Sequence, residues 1–179
     1  MRYRIFAAAL AAMLMLTGCG KSGTASSTTA ATNTSSVADI NENESFFREL
    51  YADDLYNKYN QYVNDSEAFY QVYYVENAED VDINAIVAAA EKCVSTLEAI
   101  IAIEPTASLA SYHEQVIESA EYEAKYYDSI RELILCETGE QELSAQEIED
   151  LQAFLMEYSE SETNLFVDAY IAAMEASAQ

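Results

Sequence analysis

His113 is the only histidine in the chain, and His113-Glu114-Gln115-Val116-Ile117 begins like the His-Glu-x-x-His helix that holds catalytic zinc. That motif needs a second imidazole one helical turn along the same face, and Ile117 occupies the place. A zinc-protease helix fails there. A di-iron carboxylate site fails too, because it takes two Glu-x-x-His units and Ala110 stands three residues before the single histidine. No resident metal and no cofactor are expected.

A less direct signal remains in the acids. If Leu109, Val116 and Ile130 face a core, His113 and Glu123 share their helical stripe, and Glu162 falls between Tyr158 and Leu165 in the same way. Folding the helical segments back on one another brings Glu162 to a height between His113 and Glu123, with Glu98 level with His113. His113, Glu98, Glu123 and Glu162 would then line a polar pocket suited to a metal ion or a small cationic ligand. The alternative is a stripe that turns slightly and leaves these residues at the solvent edge, with at most a hydrogen bond from His113 to a glutamate. One histidine among distant glutamates is a poor transition-metal set.

Catalysis by other routes finds little support. There is no Gly-x-Ser-x-Gly elbow, no Gly-rich phosphate loop and no Cys-x-x-Cys pair, so the chain is not expected to be an enzyme. A disulfide between Cys93 and Cys136 is opposed by geometry. On antiparallel helices turning about Pro105 they sit about 28 Å apart along the axis at 1.5 Å per residue, whereas a disulfide needs Cα atoms within about 7 Å. Two separate, mostly buried thiols are expected.

The elements that must position these residues read as helices. Beyond residue 44 the only glycine is Gly139 and the only proline Pro105, too few turn formers for a sheet sandwich or an alternating α/β fold. The first segment, about 45–75, spaces Phe47, Leu50, Tyr51, Leu55, Tyr59, Tyr62, Phe69 and Tyr73 by threes and fours, with a break expected at Asn64-Asp65-Ser66. A second segment starts at the N-cap Asp82 and carries Ile83, Val87, Ala90, Val94, Leu97 and Ile101 on one face. Pro105 stops it and opens a third, which runs to about Glu137 and the stop signal Thr138-Gly139. Ser144-Ala145-Gln146-Glu147 has the form of a capping box and opens a fourth segment reaching about Ala176. The expected fold is all-α, an antiparallel up-down-up-down four-helix bundle over 45–179.

Fourteen tyrosines and no tryptophan make its apolar face unusual. A tyrosine buries its ring but its hydroxyl needs a partner, so many are expected at the edges of the stripe. Tyr70, Tyr73 and Tyr74, or Tyr122, Tyr126 and Tyr127, would line a groove for sugars or peptide if they faced outward; at helical spacing, core or boundary packing is the simpler role.

Eight basic against 32 acidic residues give a net charge of -24. That charge opposes nucleic acid and direct docking on anionic headgroups. It suits solubility on an exposed surface, with cation binding or a basic partner as the sharper alternative. The sequence contains no Asp-x-Asp-x-Asp-Gly calcium loop.

The opening residues carry the clearest message. Arg2 and Arg4 precede an apolar run from Ile5 to Leu16, the length of a signal h-region and too short to span a bilayer. The run ends in Leu16-Thr17-Gly18-Cys19, followed by the Ser/Thr/Ala-rich stretch 20–44. Leu16-Thr17-Gly18-Cys19 resembles the lipobox of bacterial lipoproteins. The resemblance implies cleavage between Gly18 and Cys19, a diacylglyceryl thioether on Cys19, and acylation of the new amino terminus. It further implies a location on the bacterial cell membrane, lipid-anchored, with the domain on the extracytoplasmic side at the cell surface or in the periplasm.

Residues 19–44 have almost nothing to bury and are expected to form a disordered tether, about 25–30 Å end to end as a flexible coil. The expected activity is that of a non-enzymatic binding or structural module, joined to the membrane by its lipid and to an envelope protein as partner. A small-ligand or metal-cation carrier that uses the bundle interior is the alternative.

Overall fold

Five α-helices make up the regular structure: α1 (Ser35–Tyr73), α2 (Ile83–Ile101), α3 (Ala110–Thr138), α4 (Ala145–Glu160) and α5 (Leu165–Ser177). They belong to a computed structural model that describes residues 35–75, 81–161 and 164–179. The leader 1–18, Cys19, the tether as far as residue 34, and Glu162 lie outside the described residues. Among the described residues there is no strand, so the fold is all-α, and no helix is long and apolar enough to cross a membrane.

Local chemistry explains most of the helix ends. Asp82 caps α2, its carboxylate accepting from the Ala85 N–H at 3.1 Å. Ser144 and Glu147 form the full capping box: the Ser144 N–H donates to Glu147 at 2.7 Å and the Glu147 N–H to the Ser144 hydroxyl at 3.3 Å. The Ser144 hydroxyl and N–H hold the Glu147 carboxyl below its ordinary pKa. Gly139 ends α3 in the left-handed region, φ 78°, where a side chain is disfavoured, and the Glu140 N–H closes back on the Leu135 carbonyl.

Four boundaries differ from the reading of the sequence. α1 begins at Ser35 rather than near 45 and so takes in the last residues assigned to the tether; once a long helix exists, each added residue gains a hydrogen bond at little further cost. α1 also passes through Asn64-Asp65-Ser66 without a break. Short polar side chains interrupt helices by bonding their own backbone, but Asp65 is turned to Lys92 and Thr96, and Ser66 to Tyr127. Pro105 does not open α3: a turn closed by Leu109 N–H on the Thr106 carbonyl intervenes, and it seats Leu109 in the core. Finally, the segment 145–176 is two helices. α4 stops at Glu160, and Asn164 starts α5 by accepting from the Val167 N–H at 3.1 Å.

α1 packs against α2 and α5, and α3 packs against α2, α4 and α5. The register is set by particular pairs. Arg48 donates to the Ala176 carbonyl, Tyr59 stacks on Tyr170 at 3.8 Å, Asp65 meets Lys92, and Arg131 reaches Glu91. Leu55, Phe69, Leu97, Ile100, Val116 and Phe166 fill the core between the helices, and each large apolar side chain removed from water contributes about 1.5–3 kcal/mol.

The capping box gives a direct test. Ser144→Ala is expected to destabilise the domain by about 1 kcal/mol, read as a lower midpoint in urea with an unchanged slope; an unchanged midpoint would show that α4 needs no cap.

Candidate functional site

α3 buries Val116, Ser119, Ala120, Glu123, Tyr126, Tyr127 and Ile130, a spacing of threes and fours that makes one continuous seam. Glu123 stands in the middle of that seam, 7% exposed, so its carboxylate points where an apolar side chain would be expected. Two tyrosines satisfy it. Tyr62 of α1 donates its hydroxyl to Oε1 and Tyr158 of α4 donates to Oε2 at 2.6 Å. The Tyr62 hydroxyl lies 3.2 Å from that of Tyr127, which lies 2.9 Å from the Ser66 hydroxyl. These hydroxyls form a chain that ends on the carboxylate, each bond polarising the next.

The rings are as ordered as the hydroxyls. Tyr126 and Tyr158 stack at 4.1 Å, Tyr122 and Tyr158 at 5.6 Å, and Phe166 meets Tyr62 edge to face at 5.2 Å. Burial is the main reason that the phenols of Tyr62, Tyr126, Tyr127 and Tyr158 are pushed far above their ordinary pKa, and the negative Glu123 adds to this at Tyr62, Tyr127 and Tyr158.

Beside the carboxylate lies a cavity of about 170 Å³. Ser119, Tyr122 and Glu123 of α3 and Tyr158 of α4 line it on one side, and Ser161, Asn164, Leu165 and Phe166 on the side of the α4–α5 junction. The division of the last helical segment is therefore what gives Glu123 an adjoining space.

No basic side chain among the described residues reaches Glu123. Among the described residues Arg48 bonds the Ala176 carbonyl, Lys58 pairs with Asp54, Lys92 with Asp65, Arg131 with Asp128 and Glu91, and Lys125 lies over the Phe154 ring at 4.1 Å. Asp65 makes the contrast plain. It is equally buried, 3% exposed, but it has a lysine at 2.6 Å as well as the Thr96 hydroxyl at 2.7 Å.

Of the four residues placed in one pocket by helical spacing, the structure buries His113 and Glu123 and keeps them apart. His113 is 2% exposed, its Nδ1 is 3.0 Å from the Tyr51 hydroxyl, and its Nε2 is buried without a hydrogen-bond partner. Desolvation lowers its pKa, opposed by the nearby Ile101 and Ile103 backbone. Ten residues of helix separate it from Glu123, about 15 Å along the axis. Glu98 is exposed on α2, beside the buried Leu97 rather than in line with it. Glu162 lies outside the described residues. No group of three metal-ligating side chains exists among the described residues. Helical periodicity puts His113 and Glu123 on one stripe and leaves open whether that stripe faces the core or the solvent edge; the structure buries both, and their tyrosine partners and the cavity at Asn164 are long-range features with no local signal beyond the cap residue Asn164.

The remaining candidates sit apart from this site. Cys93 is buried and Cys136 half-buried, and both are free. Burial pushes the Cys93 thiol up to about 12, which keeps it a protonated, unreactive core side chain. Of the two tyrosine groups considered for an aromatic groove, Tyr126 and Tyr127 are core residues, and Tyr70, Tyr73 and Tyr122 pack against the core, while Tyr74 is exposed. Comparisons with known protein families, with curated proteins and with solved structures find no match.

Two outcomes are expected. Tyr62→Phe removes a donor and leaves the buried carboxylate under-satisfied, which should cost about 1–3 kcal/mol in denaturant unfolding; a neutral effect would mean that water replaces the hydroxyl. The raised phenols also set an alkaline limit. Tyr51 is pushed up to about 12, and Tyr62, Tyr126, Tyr127 and Tyr158 are raised as well, from an unfolded value of 10.0. Above pH 10 the folded state thus holds more protons than the unfolded chain, so stability falls as pH rises and is unaffected by these groups below that pH. Tyrosinate absorbance from the buried residues should appear together with loss of helical circular dichroism; a rise well before the loss of helix would contradict the buried network.

Proposed function

We propose that the chain is a bacterial lipoprotein whose acidic helical domain acts as a non-enzymatic binding module outside the cytoplasmic membrane. The observation that carries this reading is Leu16-Thr17-Gly18-Cys19, set between an apolar run and a polar spacer. Each buried methylene contributes roughly 0.8 kcal/mol, so one short acyl chain binds marginally and two or three hold a protein durably. The lipid on Cys19 is the anchor and residues 20–34 the spacer.

The domain is an antiparallel up-down-up-down four-helix bundle whose fourth member is divided into α4 and α5. The cross-helix pairs support this. Along α1 from Arg48 through Tyr59 to Tyr62, the partners on α5 run backwards from Ala176 through Tyr170 to Phe166. Between α2 and α3, Glu91 meets Arg131 near one end, and Ile101 lies by His113 near the other.

A partner surface is supported near the start of the domain. Phe46, Phe47 and Leu50 are each about half exposed, on the part of α1 nearest the spacer, and Phe47 and Leu50 border a cleft of about 710 Å³ with Ile103 and Pro105. Glu44, Asp54 and Glu104 edge the same cleft. An apolar patch rimmed by charge suits another protein of the envelope, one with a basic edge.

The second reading is a small-ligand carrier that uses the bundle interior, favoured by the buried Glu123, which no basic side chain of the described residues reaches, beside its cavity. The bundle then holds a ligand, and the lipid keeps it at the membrane.

The anchor is tested by intact mass and membrane partition of the protein made in a bacterial host, with and without Cys19→Ala. The expected product lacks residues 1–18, carries acyl chains and fractionates with membranes, and loses all acyl mass on substitution. A soluble, unacylated wild-type product would overturn the lipoprotein reading.

A further inference from the structure

We propose that Tyr62 is a one-electron donor to oxygen-centred radicals, with Glu123 taking its phenolic proton and the rings of Tyr59 and Tyr170 carrying the electron to the surface. This goes beyond the binding readings above and depends on neither of them, nor on the lipid anchor.

A phenol that has lost an electron is a strong acid, so the electron leaves readily only where a base within hydrogen-bond reach takes the proton in the same step. Tyr62 is 7% exposed and donates its hydroxyl to Oε1 of Glu123, while Tyr158 donates to Oε2 at 2.6 Å. Each carboxylate oxygen has two lone pairs, so Oε1 keeps the capacity to bind the proton it already holds by a hydrogen bond. A carboxylate paired with a cation gives up that attraction on taking a proton, and no basic side chain among the described residues reaches Glu123. Burial holds the Tyr62 phenol far above its ordinary pKa, so the group that is oxidised is the intact O–H and not a phenolate.

The step balances. The O–H bond of Tyr62 breaks, an O–H bond forms on Glu123, and the electron passes to the oxidant. A peroxyl radical becomes a peroxide anion, which takes its own proton from water. The core then holds a neutral tyrosyl radical beside a neutral carboxylic acid, one charge fewer than before, and a dry interior favours that change.

The surroundings select Tyr62 among the tyrosines. Its hydroxyl gives its hydrogen to Glu123, so the Tyr127 hydroxyl at 3.2 Å is the donor to it, and Tyr127 accepts in turn from Ser66 at 2.9 Å. That donor stays in place to hold the phenoxyl oxygen after the proton has left. Tyr127 and Phe166 meet the Tyr62 ring edge to face at 6.3 and 5.2 Å, which keeps water and a second radical away from it. The way out is aromatic: the Tyr59 ring lies 6.3 Å from Tyr62 and stacks on Tyr170 at 3.8 Å and 6°, and both of these rings are half-buried on the α1 and α5 side. Tyr51 also faces a base, Nδ1 of His113 at 3.0 Å, but its only ring contact among the described residues is that imidazole, so no tyrosine leads outward from it.

The test is flash oxidation of the full chain in detergent by photogenerated ruthenium(III) tris-bipyridine, with the tyrosyl radical followed by its absorbance and by electron paramagnetic resonance. The wild-type radical is expected to outlast that of free tyrosine amide many-fold, and its formation should slow in heavy water because a proton moves in the same step. Glu123→Gln keeps the side-chain volume but takes no proton, and it should slow formation about a hundredfold, the lower end of what a positioned proton acceptor contributes. Tyr62→Phe should remove the long-lived signal and should slow the consumption of peroxyl radicals released by a water-soluble azo compound. A long-lived signal that survives Tyr62→Phe would overturn the assignment to Tyr62, and equal peroxyl consumption would overturn the oxidant class. Formation indifferent to heavy water, or a wild-type radical as short-lived as that of free tyrosine amide, would overturn the proposal altogether. These last two measurements use the wild-type protein alone, so they decide the matter even if the variants fail to fold.

Discussion

A core built from tyrosine has to find a partner for every hydroxyl that it buries, and the rest of this structure is organised around that requirement. The chain from Ser66 through Tyr127 and Tyr62 to Glu123, with Tyr158 on the other carboxylate oxygen, links α1, α3 and α4. A phenylalanine core would pack at any rotation that fills space. Here a rotation of one helix would leave several polar atoms unpaired in a dry interior, each at a cost of about 1–3 kcal/mol. The hydroxyl chain therefore selects one register among the many that hydrophobic burial alone would permit.

The two buried carboxylates show the same physics with different outcomes. Asp65, on α1, is answered from α2 by Lys92 and Thr96, so it ties two helices together. Glu123 is answered by hydroxyls alone and faces a space at the α4–α5 junction. Electrostatics inside a protein is strong in both directions: a satisfied buried group holds elements in place, and an unsatisfied one is costly. The division of the last segment at Asn164 leaves a cavity beside Glu123.

Outside the core, the protein combines a large excess of acid with a local apolar patch. The charge of -24 keeps like molecules apart through mutual repulsion. Phe46, Phe47 and Leu50 interrupt that field on the first part of α1. The patch lies on the first part of α1, and the Glu123 cavity further along the bundle.

Several features were determined by the sequence alone because their causes are local. The scarcity of glycine and proline beyond residue 44 settled the all-helical class, and the Asp82 cap, the Ser144 and Glu147 capping box and the Gly139 stop appeared where nearest-neighbour chemistry places them. The spacing of α3 put His113 and Glu123 on one stripe, since helical period is a property of a single segment, but it did not decide whether that stripe met the core or its edge. Tertiary structure decided what those residues meet. It gave His113 the Tyr51 hydroxyl, gave Glu123 two tyrosines and no base among the described residues, and left Glu98 in solvent. It also carried α1 straight through Asn64-Asp65-Ser66, because partners on other helices took the side chains that would have broken it. Hydrogen bonds between residues from 31 to 62 positions apart have no signature in either local stretch, so only the assembled helices fix them.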